Sequence, residues 1–345
     1  MMKRYGLAIW GAVVLFLLLV TYSYTRYFTP PPGVAGGDVV VVVQRGVPFT
    51  LVANQLEAAG IVRSARDFSY LASWKKADRR VKAGEYHFAP PVRPLAVLDK
   101  LVRGEMVQYR LTIPEGYTVR EIGALLEEQG LAVGAEFVAK ARDGALVASM
   151  GFKGESLEGY LFPDTYRFTR GLPVEEIIAI MVERFKEVYG EVVAERAAHF
   201  GFSRQEVVTL ASIIEKETGK REERRHISAV FHNRLKRGIA LQSDPTVIYG
   251  IKNFDGNLTR NHLRTRTPYN TYRMRGLPPG PIANPGKGAL VAAVEPVAGD
   301  YLYFVSKNDG THYFSKSLKE HNRAVEKYQK SRRYRNGSSN KSSKG

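Results

Sequence analysis

The chain of 345 residues contains no cysteine, so neither disulfide bonds nor thiolate metal sites are open to it, and cysteine usage leaves its redox compartment undetermined. Histidine is scarce as well. His226 and His232 are among the seven present, but no H-E-x-x-H pair and no group at metal-ligand spacing occurs, so no metal site is expected. The nucleophile elbow G-x-S-x-G is missing, since Gly154-Glu-Ser-Leu-Glu-Gly159 has the wrong spacing. Gly280 to Lys287 is too long by one residue for a phosphate loop and lacks its Ser or Thr; Pro281 within it has no N–H to offer a phosphate. No cofactor is expected from any of these patterns. Acid is also in short supply, with 34 Asp and Glu against 51 Lys and Arg, a net charge of +17. That excess favours an anionic neighbour, which charge alone does not distinguish among nucleic acid, anionic lipid and an acidic wall polymer. The chemistry left is acid–base work by carboxylates. The candidates are Glu215 and Glu217 in a helical pattern and Glu158, Asp164 and Asp244 in loops.

A hydrophobic content of 44% over this length fits two or three domains with real cores. After a short N-terminus (1–4), no charged residue appears from Tyr5 to Thr25, and a bilayer crossing takes roughly 20 such residues. Lys3 and Arg4 precede the run and only Arg26 closely follows it, which places the N-terminus in the cytoplasm and the bulk of the chain outside. No small-x-small cleavage site follows, and Tyr22, Tyr24 and Tyr27 resemble an interfacial belt, so the reading is an uncleaved transmembrane signal anchor over 5–25. The anchor argues against a nucleic-acid partner. A Pro- and Gly-rich linker (26–38) comes next.

Val39–Val43 reads as a strand, Gly46 as its turn, and Val52 and Leu56 as one face of a helix stopped at Gly60. The plan returns with Leu111–Ile113, Gly116, the face Val119, Ile122, Leu125 and Leu126, and Gly130. Gly116 follows Gly46 by 70 residues, as Gly130 follows Gly60. Two related strand–turn–helix units within residues 39–150 are expected. Lys82–Phe88 between them reads as a strand and Leu95–Leu101 as a helix.

Residues 151–330 read as a larger mixed domain, which makes the whole chain α+β. Ser156–Phe168 interleaves Glu158 and Asp164 with aromatics such as Tyr166, a composition suited to carbohydrate and equally to a core strand. Pro173 opens a helix with Ile177, Ile178, Met181 and Phe185 inward. Ser203 and Glu206 form a capping box, and Val207, Leu210, Ala211, Ile214 and Thr218 describe one buried face ending at Gly219. Glu215 lies at the rim of that face, where partial desolvation would raise its pKa and suit it to act as a general acid, while Lys216 points away. A structural ion pair at the rim is the alternative for an isolated Glu. A third helix buries Ile227, Val230, Phe231 and Leu235. Leu241–Gly250, with Gln242 and Asp244, and Thr267–Pro285, with Tyr269 and Asn270, are expected as long functional loops. A hairpin around Asn308-Asp-Gly310 and a helix capped by Ser317 close the domain, and a basic tail (331–345) reads as disordered.

Five segments together resemble the YceG-like (MltG) family of endolytic murein transglycosylases: Leu157–Tyr166, Leu210–Thr218, Leu241–Tyr249, Tyr269–Tyr272 with Gly276–Ile282, and Tyr301–Val305. The resemblance runs in order from the anchor to about Tyr328. It implies a membrane-anchored lyase on the extracytoplasmic side of the cytoplasmic membrane, with a LysM-like subdomain and a catalytic domain. Its substrate would be nascent peptidoglycan, cut between MurNAc and GlcNAc to leave 1,6-anhydro ends and end strand growth. The family's catalytic glutamate, the first of E-K-E-T, falls on Glu215. Glu158, Asp164, Tyr166, Gln242, Asp244, Tyr269 and Asn270 are then expected as substrate contacts, and peptidoglycan synthases as possible partners. The rival reading is a non-catalytic peptidoglycan-binding scaffold for a synthase.

Overall fold

The computed structural model describes residues 2–31 and 37–330; side chains are described from Trp10 to Arg26, from 29 to 31, and from 37 to 330. The basic tail and part of the linker therefore lie outside the described residues. The chain divides into two compact units, Met1–Arg110 with Arg167–Leu172, and Leu111–Tyr166 with Pro173–Gly345. The division falls at Arg110, ahead of the expected boundary near Gly151. The second strand–turn–helix segment therefore belongs to the larger unit.

The first unit contains α1 (Met2–Phe28), β1 (Val39–Val43), α2 (Phe49–Ala58), α3 (Ala65–Trp74), β2 (Gly84–Phe88) and α4 (Pro94–Arg103). β1 and β2 pair antiparallel, Val41 opposite Tyr86. Alternation along β1 turns Val41 and Val43 into a core with Leu56, Phe68, Tyr86, Phe88, Leu98 and Leu101, and leaves Val40 and Val42 outside. Among the described residues, no helix is long and apolar enough to cross a membrane. Helix α1, Met2–Phe28, covers the expected stretch 5–25.

Then follow β3 (Tyr109–Thr112), α5 (Val119–Glu128), α6 (Gly134–Ala141), α7 (Gly144–Ser149), β4 (Thr165–Phe168), α8 (Val174–Val192), α9 (Ala194–Phe200), α10 (Arg204–Glu217), α11 (Arg224–Lys236), α12 (Asp244–Gly250), α13 (Arg260–Arg264), α14 (Lys287–Val294), β5 (Tyr303–Ser306), β6 (His312–Ser315) and α15 (Leu318–Val325). The strands form three separate two-stranded sheets, β1–β2, β3–β4 and β5–β6. The architecture is α+β and helix-rich, with sheets too small to form a layer.

Helix α10 is the axis of the second unit. Its Ser203 capping box forms as expected. Every residue from Val207 to Ile214 is buried, so the helix is enclosed on all sides rather than on one face. It ends at Thr218, whose extended backbone (φ −147°) breaks the helix before Gly219 can act as a stop. Helices α11 and α14 pack against it, the latter a short run of Ala, Leu and Val with no amphipathic signal. The first expected loop folds in part into α12, because Asp244-Pro245 supplies a helix N-terminus.

Candidate active site

Enclosure of α10 brings the Glu215 side chain to 5% exposure. Its Oε1 accepts from Arg224 Nη2 at 2.6 Å, and its Oε2 accepts from the backbone N–H of Gly286, the N-cap of α14, at 2.9 Å. The same Arg224 nitrogen donates to Glu115 Oε2 at 2.9 Å. One buried guanidinium, 7% exposed, is thus shared between a buried and a half-exposed carboxylate, Glu115 being 41% exposed. Burial is the largest influence on Glu215 and raises its pKa, and the Glu115 charge adds to the rise; the Gly286 N–H and Arg224 act in the opposite direction. A lone Glu–Arg pair would hold the acid ionised. Sharing the cation with Glu115 weakens that hold.

Glycines let these groups approach. A Cβ on Gly286 would lie 2.0 Å from Glu115 Oε1, and one on Gly288 would lie 2.3 Å from Arg224 Nη1. On the other side a Cβ on Gly116 would stand 3.4 Å from the Glu215 Cγ. Lys216 is exposed and donates to the Gly116 carbonyl at 3.3 Å.

Glu217 makes a separate buried site. Ser243 donates to it at 2.5 Å, and burial pushes its carboxyl up to about 7. Glu158 is buried too and likewise pushed up to about 7. It accepts from the Val119 N–H at 3.0 Å, Asn284 Nδ2 at 3.1 Å and the Tyr249 hydroxyl at 3.2 Å. Asn284 Oδ1 in turn takes the N–H groups of Gly159 and Leu161, each at 2.9 Å. This one amide ties the Glu158 segment to the loop that supplies Gly286.

The other expected contacts are dispersed. Asp164 accepts from Arg184 Nε at 2.7 Å and caps the Thr165 N–H, and the Tyr166 hydroxyl donates to the Phe162 carbonyl at 2.6 Å. Both act within the β4–α8 region. Asn270 is fully buried and bonds the carbonyls of His262, Leu263 and Thr265, so it braces its loop and is closed to a sugar. Asp244 is exposed and accepts from the Tyr272 hydroxyl at 2.7 Å. The Gln242 side chain is exposed on a left-handed backbone (φ 52°), and Tyr269 packs edge-on against Tyr249 along a cavity. Glu115, Arg224, Gly286 and Asn284 escape a reading by periodicity. Their only signals are a turn before Gly116, an arginine-rich run that reads as a solvated surface, and a Pro-rich loop. Among the described residues no group of His, Asp and Glu is arranged to hold a metal ion.

The YceG-like family model matches residues 41–327. An endolytic murein transglycosylase of Bacillus subtilis (strain 168) is 33% identical over 304 residues, covering 83% of each chain. One from Streptococcus pneumoniae serotype 2 (strain D39 / NCTC 7466) is 30% identical over 323 residues, covering 83% of this chain and 58% of its own length. The crystal structure of a yceG-like protein of Listeria monocytogenes superposes with a TM-score of 0.58 at 32% identity, over 83% of this chain and 98% of that one. The family model spans most of the chain, and relatives at 30% identity or more align over 83% of it, so the chain belongs to the YceG-like family.

Proposed function

We propose that this chain is an endolytic murein transglycosylase, a lyase of the peptidoglycan glycan strand, and that Glu215 is its acid and its base. The names of its relatives support the activity. The observation that carries the residue is the buried Glu215 carboxyl, its pKa raised, between Arg224 and the Gly286 N–H. Protonated Glu215 gives its proton to the glycosidic oxygen as the C1–O bond between MurNAc and GlcNAc breaks. The resulting carboxylate then takes the C6 hydroxyl proton as O6 closes on C1. The product is a 1,6-anhydro end, no water is consumed, and no second carboxylate is needed to activate one, unlike the pair in a hydrolase. Arg224 and the Gly286 N–H stabilise the carboxylate halfway through. Of the expected contacts, Tyr269 and Gln242 stay the better-placed ones to meet substrate; Glu158, Asp164, Tyr166 and Asn270 brace the unit.

Helix α1 is the proposed membrane anchor. Trp10 and Leu15 to Leu19 are exposed apolar side chains that water solvates poorly, and Lys3 and Arg4 before them favour a cytoplasmic N-terminus. Catalysis would then occur at the outer face of the cytoplasmic membrane, where cutting a nascent strand ends its growth. The repeated strand–turn–helix segment supports a LysM-like contribution to glycan binding.

The test uses uncrosslinked glycan strands, with products weighed. Wild type should release anhydro-ended fragments, and Glu215→Gln should lose about 10²–10⁴-fold in rate. Undiminished release by the variant would overturn Glu215, products heavier by one water would mean a hydrolase, and binding without cleavage by wild type would mean a scaffold. Deletion of residues 1–28 should move the protein from the membrane fraction to the soluble one.

A further inference from the structure

A cavity of about 980 Å³ opens in the second unit at the end of α10 opposite Glu215. Gln205, in the first turn of α10, stands on its wall, and ten residues of helix put it about 15 Å from Glu215. The acid chemistry above uses none of this space. The volume is that of a site for a ligand of several residues or rings.

Its walls have a definite chemistry. Tyr249 and Tyr269 meet edge-on, ring centres 4.8 Å apart. The Tyr249 hydroxyl is committed to Glu158, whereas that of Tyr269 makes no hydrogen bond among the described residues. Arg120, Arg142 and Lys153 line the same space, and none of their side chains enters an ion pair or hydrogen bond among the described residues. The nearest buried acid, Glu158, is turned to the Val119 N–H and Asn284, and burial raises its pKa so that it opposes an anion less than its position suggests. Glu155, exposed on the wall, leaves a place for a single ammonium. One wall is stiff. Gln205 Nε2 donates to the Pro279 carbonyl at 2.7 Å, and Gly159 lies so close to Pro281 that a Cβ would stand 2.5 Å from its ring. Three uncommitted cations, a free phenol and aromatic faces around a preformed hollow suit a short peptide rich in carboxylates.

We propose that this cavity binds the carboxylate-bearing peptide stem of the glycan strand that Glu215 cleaves. The proposal rests on the murein reading of the Glu215 site. An extended stem of four residues spans about 13–14 Å, comparable with the roughly 15 Å of helix between Glu215 and Gln205 on the cavity wall. The cations hold its carboxylates, Tyr269 gives a hydroxyl to one of them, and Glu155 takes its amine. The enzyme thereby distinguishes strands that carry stems from strands that have lost them.

The test titrates a soluble stem tetrapeptide into the full chain carrying Glu215→Gln, by calorimetry. Saturable binding is expected. It should weaken at least tenfold when Arg120→Ala and Arg142→Ala are added, severalfold with Tyr269→Phe, and at least tenfold when the peptide's carboxylates are amidated. Both arginines are exposed, so the unfolding temperature should hold. No binding, equal affinity of parent and arginine variants, or equal affinity for the amidated peptide would overturn the proposal. Displacement of the peptide by an equal concentration of inorganic phosphate would also overturn it, by assigning the cations to phosphate. Cleavage of strands by the unmutated chain is scored separately. Peptide binding without cleavage would sink the murein reading and leave the cavity's ligand standing, and cleavage without peptide binding would do the reverse.

Discussion

The two strand–turn–helix segments follow one plan and differ in what their turns meet. Helix α2 runs Phe49–Ala58 and α5 runs Val119–Glu128, ten residues each, every position offset by 70. Both turns use a left-handed glycine, Gly46 (φ 75°) and Gly116 (φ 80°), and both helices end at another, Gly60 (φ 73°) and Gly130 (φ 63°). Each then returns an N–H to the same carbonyl, Ile61 to Leu56 at 2.8 Å and Leu131 to Leu126 at 2.9 Å. A Cβ on Gly46 would meet nothing within 4 Å. Its counterpart Gly116 donates its N–H to the Asn284 carbonyl at 2.9 Å and faces the Glu215 side chain. Where the first copy has Arg45, the second has Glu115, and that carboxylate shares Arg224 with Glu215. The same local backbone thus reaches the buried Glu215 carboxyl in one copy and not in the other, and the turn residue makes the difference.

Exchanging the turn charges should have the largest effect. Glu115→Arg removes the carboxylate that shares Arg224 with Glu215 and adds a second cation, both of which favour ionised Glu215, so strand cleavage should fall by about 100-fold, near the low end of a general-acid contribution. Arg45→Glu in the first copy should stay within about twofold in the same assay. Equal losses would show that Glu115 has no special role.

Next in size is the packing of the helix pairs. Gly123 of α5 replaces Ala53 of α2, and a Cβ there would lie 3.0 Å from the Gly134 carbonyl and 3.2 Å from Val138 Cγ2. Gly123→Ala should overpack by about 1–3 kcal/mol, which exceeds the gain of up to about 1 kcal/mol that Ala brings to a helix. Thermal unfolding of the variant should therefore come at a lower temperature.

Gly46→Ala and Gly116→Ala should each cost about 1–2 kcal/mol for placing a side chain on left-handed backbone. Only the second should also slow cleavage, by a few-fold, through the 3.4 Å approach to Glu215. Similar activities at equal stability would mean that the turn does not position the acid.

The finest test is the pH profile. With Glu215 as the proposed acid, cleavage needs it protonated, so the rate should fall as pH rises through its pKa. Glu115 raises that pKa, so Glu115→Gln should lower it and move the falling limb to lower pH. A limb that stays in place would separate Glu115 from the proton on Glu215.

Much of this fold is legible along the chain. The capping box at Ser203, Pro at helix starts, valines alternating in β1 and the hairpin turn at Asn308 (φ 61°) are local signals read out locally. Helix α14 is illegible because a short Ala- and Gly-rich run has no polar face, and α12 because Pro245 in a polar segment reads as loop. Of the expected contacts, Glu158 and Tyr269 meet near one cavity. Asp164 and Asn270 are taken up by Arg184 and by backbone carbonyls, since composition does not reveal which way a polar side chain turns.

By itself the sequence determined the locally signalled elements, such as β1 and α10, and a carboxyl at the end of an apolar helix, because caps, turns and periodicity act over a few residues. Only the tertiary structure decided the state of that carboxyl. Its burial, its N–H donor from Gly286 and its cation shared with Glu115 come from residues up to 109 positions apart, and the enclosure of α10 holds them together. Desolvation and Coulomb forces depend on distance in space, and no local pattern carries them.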